Sequence, residues 1–211
     1  MIKAEVNVTG RIKRGAMVRN DRNGEPCMAF IMAVSLPDKK TGTNEVEIHV
    51  TIPNSKQEDL QTYIEDKRVT VSGTLNVKKK DEKMYFYITA NLISLEGVSD
   101  LDAIGGDLTF RGHLRKEKVY EEKTDKNGNP YLVFSAYSTE KRGEEYINTW
   151  INFMRFPEKD ANIDTIKPDW MQSKAHVTIN GDFLLDSYDG KIRISCRVRE
   201  LEQYVPQPFN Q

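Results

Sequence analysis

Three histidines, His49, His113 and His176, and two cysteines, Cys27 and Cys196, are the side chains of this 211-residue sequence best suited to holding a transition metal. The histidines fall in strand-like segments with no carboxylate or cysteine at ligand spacing, so no metal site is expected. The cysteines stand 169 positions apart and form no metal-ligand or redox motif, which points to two buried free thiols and excludes a disulfide scaffold. There is no G-x-S-x-G, no phosphate-binding loop and no dinucleotide fingerprint, and the acid pairs Glu58-Asp59, Glu65-Asp66 and Glu121-Glu122 read as solvated charge. Neither an enzyme nor a cofactor is expected. The groups that remain are cations and rings. Lys78, Lys79, Lys80 and Lys83 run together with Tyr85 and Tyr87 just behind them, and Arg11, Lys13, Arg14, Arg19 and Arg22 crowd a second stretch. Arg193, Arg197 and Arg199 alternate with Ile192, Ile194, Cys196 and Val198, so the arginines share one outward face. Such charges either follow phosphates or keep a surface soluble. From Ile147 to Phe153, strict alternation puts Trp150 on the face opposite Ile147, Thr149, Ile151 and Phe153, and therefore outward if the isoleucines face the core.

Composition narrows the setting. With 31 basic and 32 acidic residues the net charge is -1, so bulk charge gives no prior for nucleic acid or membrane, and any such claim rests on local arrangement. A chain that is 38% hydrophobic and 30% charged is ordinary for a globular protein. No apolar run approaches the roughly 18 residues that cross a bilayer, and MIKAEVNVTG lacks the layout of a signal peptide, so no membrane partner and a cytoplasmic location are expected.

The elements that must position these groups come in two sets. DRNGEP at Asp21 to Pro26 returns as DKNGNP at Asp125 to Pro130, an offset of 104 residues that also pairs Phe30 with Phe134 and Pro53 with Pro157. Farther on, Gly73 matches Gly181 and Ile88-Thr89-Ala90 matches Ile194-Ser195-Cys196, while upstream Gly10 matches Gly112. Two homologous domains are expected, 1–96 and 107–205, with a linker over 97–106 and a short tail over 206–211. In each half, alternating strands flank an Asn-Gly turn (Asn23-Gly24, Asn127-Gly128), where both residues tolerate positive φ. Phe30 and Phe134 are expected in the core. The spacing predicts a helix after strand three: Ser55 and Glu58 form a capping-box pattern, Leu60, Tyr63 and Ile64 share a face, and the 157–174 segment takes the same place in the second half.

Five strands with a helix between the third and fourth is the order of an OB-fold, so the fold class is all-β with tandem five-stranded OB-fold barrels; another small barrel is the alternative. That fold hosts binders of oligonucleotides, oligosaccharides and proteins, and its ligand face is flanked by the strand-one and strand-four hairpins, where Arg14, Arg19 and the lysine run fall.

V-x-V-T-G-R-I at the start and N-G-x-P-x-x-x-F-x-x-A from Asn23 to Ala33 resemble the bacterial single-stranded-DNA-binding protein family, as does the spacing from Ile52 to Gly73. The resemblance covers nearly the whole chain twice over, in the manner of members with two OB-folds per chain, which pair as homodimers with four OB-folds. It implies sequence-independent binding of single-stranded DNA by base stacking and phosphate contacts, in replication, recombination, repair or mobile-element and phage DNA metabolism. The family's stacking tryptophan and phenylalanine, six residues apart, correspond to Trp150 and Phe156, and its aromatic seven residues after the strand-four glycine corresponds to Tyr188. Transfer by the 104 offset gives Val46 and Ile52 in the first half, with Lys80 after Gly73, so all three rings are missing there. The DNA-binding set is thus Trp150, Phe156, Tyr188, Lys78, Lys79, Lys80, Tyr85, Arg14, Arg19, Arg193 and Arg197. Family members end in a linker and an acidic tip finishing in Pro-Phe; here Pro208-Phe209 lacks the acid run and is followed by two amides, so tail-mediated recruitment of other proteins is not expected. The competing expectation is an OB-fold protein-interaction or structural module whose nucleic-acid face has decayed.

Overall fold

In a computed structural model that describes residues 1–21, 24–55, 57–80, 83–159 and 161–205, the alternating segments become eleven strands. These are β1 (Ile2–Asn20), β2 (Pro26–Asp38), β3 (Gly42–Pro53), β4 (Arg68–Lys80), β5 (Lys83–Ser94), β6 (Ala103–Leu114), β7 (Tyr120–Thr124), β8 (Pro130–Arg142), β9 (Glu145–Arg155), β10 (His176–Tyr188) and β11 (Lys191–Gln203). The chain divides into an N-terminal unit, Lys3–Gly106 with Leu185–Arg193, and a C-terminal unit, Met1–Ile2 and Asp107–Leu184 with the residues from Ile194 onward.

The N-terminal barrel closes because β1 serves two partners. Ala4 to Arg11 pair with β4 and Arg11 to Asn20 pair with β2, with bulges between Ile12 and Met17 that bend the strand. Gly10 stands at that change of partner, where a side chain would strike the Ala33 carbonyl at 2.3 Å. β2 then pairs with β3, β3 runs parallel to β5, and β5 returns to β4. This closed order is the OB-fold. The C-terminal barrel repeats it as β6-β8-β9-β11-β10, again with β9 and β11 parallel. Val8, Met32, Ile48 and Val50 fill the first core, and Phe110, Phe134, Phe153 and Phe183 the second. Phe30, Phe134, Cys27 and Cys196 are buried as expected, and both cysteines are free. Burial, then the charge of Asp182, pushes the Cys196 thiol up to about 12, so it stays protonated.

Four sequence expectations need correction. The helix after strand three is a short 3₁₀ turn in each half, Gln57–Thr62 and Ile163–Ile166. Ser55 is spent elsewhere: its Oγ accepts from Met28 N–H at 2.7 Å and donates to the Ile52 carbonyl at 2.9 Å, which ties it to β2 and β3 instead of a helix end. The Glu58 side chain lies outside the described residues. Tyr63 does pack inward, stacked on Phe30 at 5.6 Å, whereas Ile64 is exposed. Second, the C-terminal half has six strands, because its first strand breaks at Leu114 and resumes as β7, with Lys118 between them at a φ of 47°.

Third, the Asn127-Gly128 turn does not need two left-handed residues. Gly128 has a φ of 88°, and the loop is fastened by Asp125, whose backbone accepts from Gly128 N–H and whose Oδ1 accepts from Asn127 and Asn129 N–H. Asp21 and Gly24 repeat this fastening in the first half; Asn23 and Arg22 lie outside the described residues.

Fourth, the 104 offset fails inside strand three. Ala33 faces Glu47, and its counterpart Tyr137 faces Trp150. Trp150 therefore corresponds to Glu47 and Phe156 to Pro53, because the β8–β9 hairpin is one residue shorter than β2–β3. Later the offset settles at 108. A side chain at Gly73 would strike the Thr89 carbonyl at 2.2 Å and one at Gly181 the Arg197 carbonyl at 2.2 Å, so Ile88 corresponds to Cys196 and not to Ile194.

Candidate nucleic-acid interface

β9 of the C-terminal unit alternates as its sequence demands: Ile151 and Phe153 are fully buried, while Trp150 points outward and is 49% exposed. Asn152, Met154 and Phe156 continue its face. Phe156 lies just past the strand, stacked on Tyr131 with ring centroids 4.9 Å apart, and the Arg197 guanidinium sits 5.1 Å from its ring. Arg197 reaches it because β11 runs beside β9 with Arg197 in register with Met154. The three outward arginines of β11 separate here. Arg199 is paired with Asp107 and Asp182, and Arg193 with Asp186 at 2.7 Å. Arg197 has no carboxylate partner among the described residues. This surface therefore offers one open indole, one preformed aromatic pair and one guanidinium without a carboxylate partner among the described residues, which is what stacking a base and neutralising its phosphate require.

Tyr188 stands at the end of β10. With Arg193 it lies on the Leu185–Arg193 tip and belongs to the N-terminal unit. Its ring is 42% exposed and carries Lys40 at 5.1 Å and Arg193 at 4.9 Å. Asp38 fixes this tip: Oδ2 accepts from Ser187 Oγ at 2.6 Å and Gly190 N–H at 3.0 Å, and Oδ1 from the Lys40 and Thr41 N–H groups. The Ser187 hydroxyl, then these N–H donors, hold the Asp38 carboxyl well below the usual carboxylate range.

In the N-terminal barrel the lysine hairpin and strand one meet a pair that sequence reasoning missed. His49 on β3 is in register with Tyr87 on β5 and stacks on it at 5.0 Å, with Lys78 5.3 Å from the Tyr87 ring. Arg14 pairs with Ile31, which pairs with His49, so one row across the sheet runs Arg14, Ile31, His49, Tyr87. Burial, then Arg19 and Arg14, lower the His49 imidazole against the opposing pull of Glu47. Lys78 faces Tyr85 across the β4–β5 hairpin and Lys80 faces Lys83; Lys80 is exposed, Lys78, Lys79 and Tyr85 half-buried. Strand one sorts its cations: Arg11 pairs with Asp66 at 2.5 Å and Lys13 with Glu45 and Glu47, while Arg14 and Arg19 have no carboxylate partner among the described residues. Glu47 puts an acid where the other barrel has Trp150. No sequence motif signals the His49–Tyr87 pair, since it depends on which parallel strands become neighbours.

The segment expected as a linker is also held in place. Arg68 Nε donates to the Ser99 carbonyl at 2.9 Å and pairs with Asp102 at 2.8 Å, and Asp102 accepts from Ser35 N–H at 2.8 Å. No group of histidine, cysteine and acidic residues suited to a metal is present among the described residues, and no described helix is long and apolar enough to cross a membrane. Pro208 and Phe209 lie outside the described residues.

No protein-family model matches the chain, and no curated protein matches it by sequence. Similar solved structures include single-stranded DNA binding proteins. The wild-type protein from Thermus aquaticus is 13% identical, with 99% of this chain and 96% of that chain covered and a TM-score of 0.49. A deletion mutant of the Thermus aquaticus protein is 14% identical, with 99% and 98% covered and a TM-score of 0.48. A small single-stranded DNA-binding protein from Streptomyces coelicolor is 19% identical, with 46% of this chain and 93% of that chain covered and a TM-score of 0.35.

Proposed function

We propose that this protein binds single-stranded DNA without regard to sequence. The observation that carries the reading is Trp150: an indole held outward by strand alternation, half exposed, on a strand face that ends at Phe156 beside Arg197, which has no carboxylate partner among the described residues. A flat ring accepts any base, and each base stacked on such a ring contributes about 1–3 kcal/mol. Arg197 in one barrel, and Arg14, Arg19 and the Lys78–Lys80 hairpin in the other, supply phosphate contacts that any sequence satisfies equally. The strand coated is one exposed during replication, recombination, repair or mobile-element and phage DNA metabolism, and the protein works as a homodimer presenting four barrels. Anisotropy of a labelled oligo-dT at two salt concentrations, with duplex of the same length as competitor, tests the reading. Tight binding at low salt that weakens at high salt and resists the duplex is expected; no binding at low salt overturns it.

A second reading is favoured by one observation. The N-terminal barrel already holds a peptide, its own Ser99–Asp102, through Arg68 and Ser35. A barrel surface that takes an acidic peptide suits a protein-interaction module, and the same anisotropy experiment separates the two.

A further inference from the structure

Five rings of the C-terminal unit form a ladder across four strands and the chain beyond them. Trp150 on β9 lies 4.9 Å from Tyr137 on β8, Tyr137 5.8 Å from His113 on β6, His113 4.4 Å from His176 on β10, and His176 4.3 Å from Tyr204. Arg111 sits 4.2 Å from the Tyr204 ring, and its Nε is buried without a hydrogen-bond partner among the described residues. Trp150 is only tilted against Tyr137 and keeps its exposure, whereas the rings beyond it lie against one another and give up faces for base stacking. The ring edges remain, and these edges carry the indole and imidazole nitrogens and the phenol hydroxyls. None of the five side chains makes a hydrogen bond to another described residue.

The N-terminal barrel shows what the corresponding row accepts. Its residues are Glu47, Ala33, Arg11 and Arg68, set by the pairings of Arg11 with Ala33 and Arg68 and of Ala33 with Glu47. Arg68, the counterpart of His176, holds the Asp102 carboxylate. Burial pushes the Asp102 carboxyl up, but the Ser35 N–H and Arg68 overcome it and hold the group below its usual range, as a bound anion should be. One barrel thus fills this row with an anion of its own. The other lines it with donors that make no hydrogen bond to another described residue.

We infer that the His113–His176 end of this ladder, with Arg111, is a phosphate site that takes the phosphodiester backbone of the strand whose base stacks on Trp150. The inference rests on the single-stranded-DNA reading and extends it: Trp150 becomes a corner, with bases held along β9 and the backbone crossing onto β8, β6 and β10. Burial first, then the electrostatic influence of His113, Arg111 and the Met1 amino group, lower the His176 imidazole below its usual range. None of these neighbours is a carboxylate, and the rings of Tyr204 and His113 are what pack directly on His176. A phosphate supplies the missing counter-charge and raises the imidazole, so binding takes up protons and strengthens as pH falls.

The test is oligo-dT affinity of the full chain between pH 8 and pH 5.5 at two salt concentrations, in the parent and in H113Q/H176Q. The parent should gain about tenfold or more on acidification, the range of a charge-assisted hydrogen bond. Its salt slope should steepen by about 0.7 for each imidazolium that meets a phosphate. The double variant should lose both responses while still binding at pH 8. A double variant with the parent's pH response overturns the inference and leaves the DNA-binding reading standing. Should the double variant fold poorly, imidazole proton signals of the parent decide: their titration midpoints must rise on adding oligo-dT, and unmoved midpoints at saturation overturn the site. If the parent binds no oligo-dT at any pH, the DNA reading fails, and pyrophosphate titrated against the same imidazole signals settles the anion site alone, with a rise supporting it and no shift overturning it.

Discussion

Two barrels with one strand order place opposite kinds of side chain at the same outward positions. Where the C-terminal barrel has Trp150 on β9, the N-terminal barrel has Glu47 on β3, ion-paired to Lys13 at 2.8 Å. Where the first has Asn152 beside Ser195, the second has His49 stacked on Tyr87 under Lys78. The row that is a ladder of rings without hydrogen bonds to other described residues in one is closed by Asp102 in the other. A β-strand face is a grid whose points are fixed by register, so a single substitution at a grid point turns a platform for bases into a repulsive carboxylate with no change of fold. On the proposed function, base stacking would fall to the C-terminal barrel, and the N-terminal barrel would act chiefly through charge.

Breaking the comparison should be easiest at its largest contrast. Trp150→Ala is expected to weaken oligo-dT binding by about 1–3 kcal/mol without unfolding the protein. Phe156→Ala should lose less, because Tyr131 and Arg197 already engage its ring. Equal affinities in Trp150→Ala and the parent would remove the indole from the site. The register can be tested through a pair of insertions. Val46 is 4% exposed and in the core, so Val46→Trp should cost about 1–3 kcal/mol of stability by overpacking, read as a lower denaturant midpoint. Glu47→Trp, one residue on, should keep the fold and tighten DNA binding. If Val46→Trp were the tolerated, tighter-binding variant, the assignment of Glu47 to the Trp150 position would be wrong.

Charge contrasts are smaller and read best as salt slopes. Replacing Lys78, Lys79 and Lys80 with Gln should flatten log affinity against log salt by about 0.7 for each lysine that meets a phosphate. An unchanged slope would make the hairpin an ordinary solvated loop. Within β11, Arg197→Gln should flatten the slope by about 0.7 while Arg199→Gln, whose guanidinium is committed to Asp107 and Asp182, leaves it unchanged. The reverse order would show that these ion pairs open on binding.

How much of this was legible in the sequence follows from what each residue's role depends on. The all-β tandem barrels could be read because alternation and Asn-Gly turns are local signals, and the repeated glycines Gly10, Gly112, Gly73 and Gly181 mark places where one strand's backbone crowds another. Trp150 facing outward was equally local. The helix was not, because the Ser55 hydroxyl that would cap it is claimed by Met28, a residue 27 positions away that only the folded sheet brings near. A uniform offset hid a one-residue difference in hairpin length, and with period-two geometry that slip exchanged a core valine for an outward glutamate. Tyr188 is a stacking position only through the family resemblance, and that its hairpin tip is held by Asp38 of the N-terminal unit is visible only in the fold. The histidines His113 and His176, dismissed as metal ligands, meet only because β6 and β10 become neighbours.

The central claim is that Trp150 stacks on the bases of a bound strand. Trp150 and Trp170 are the two tryptophans of the chain, so a Trp170→Phe variant leaves Trp150 as the sole indole. Titrating that variant with unlabelled poly-dT while following its fluorescence should quench a large share of the emission and saturate in step with binding measured by anisotropy. Emission that stays constant while anisotropy reports full binding would contradict the account.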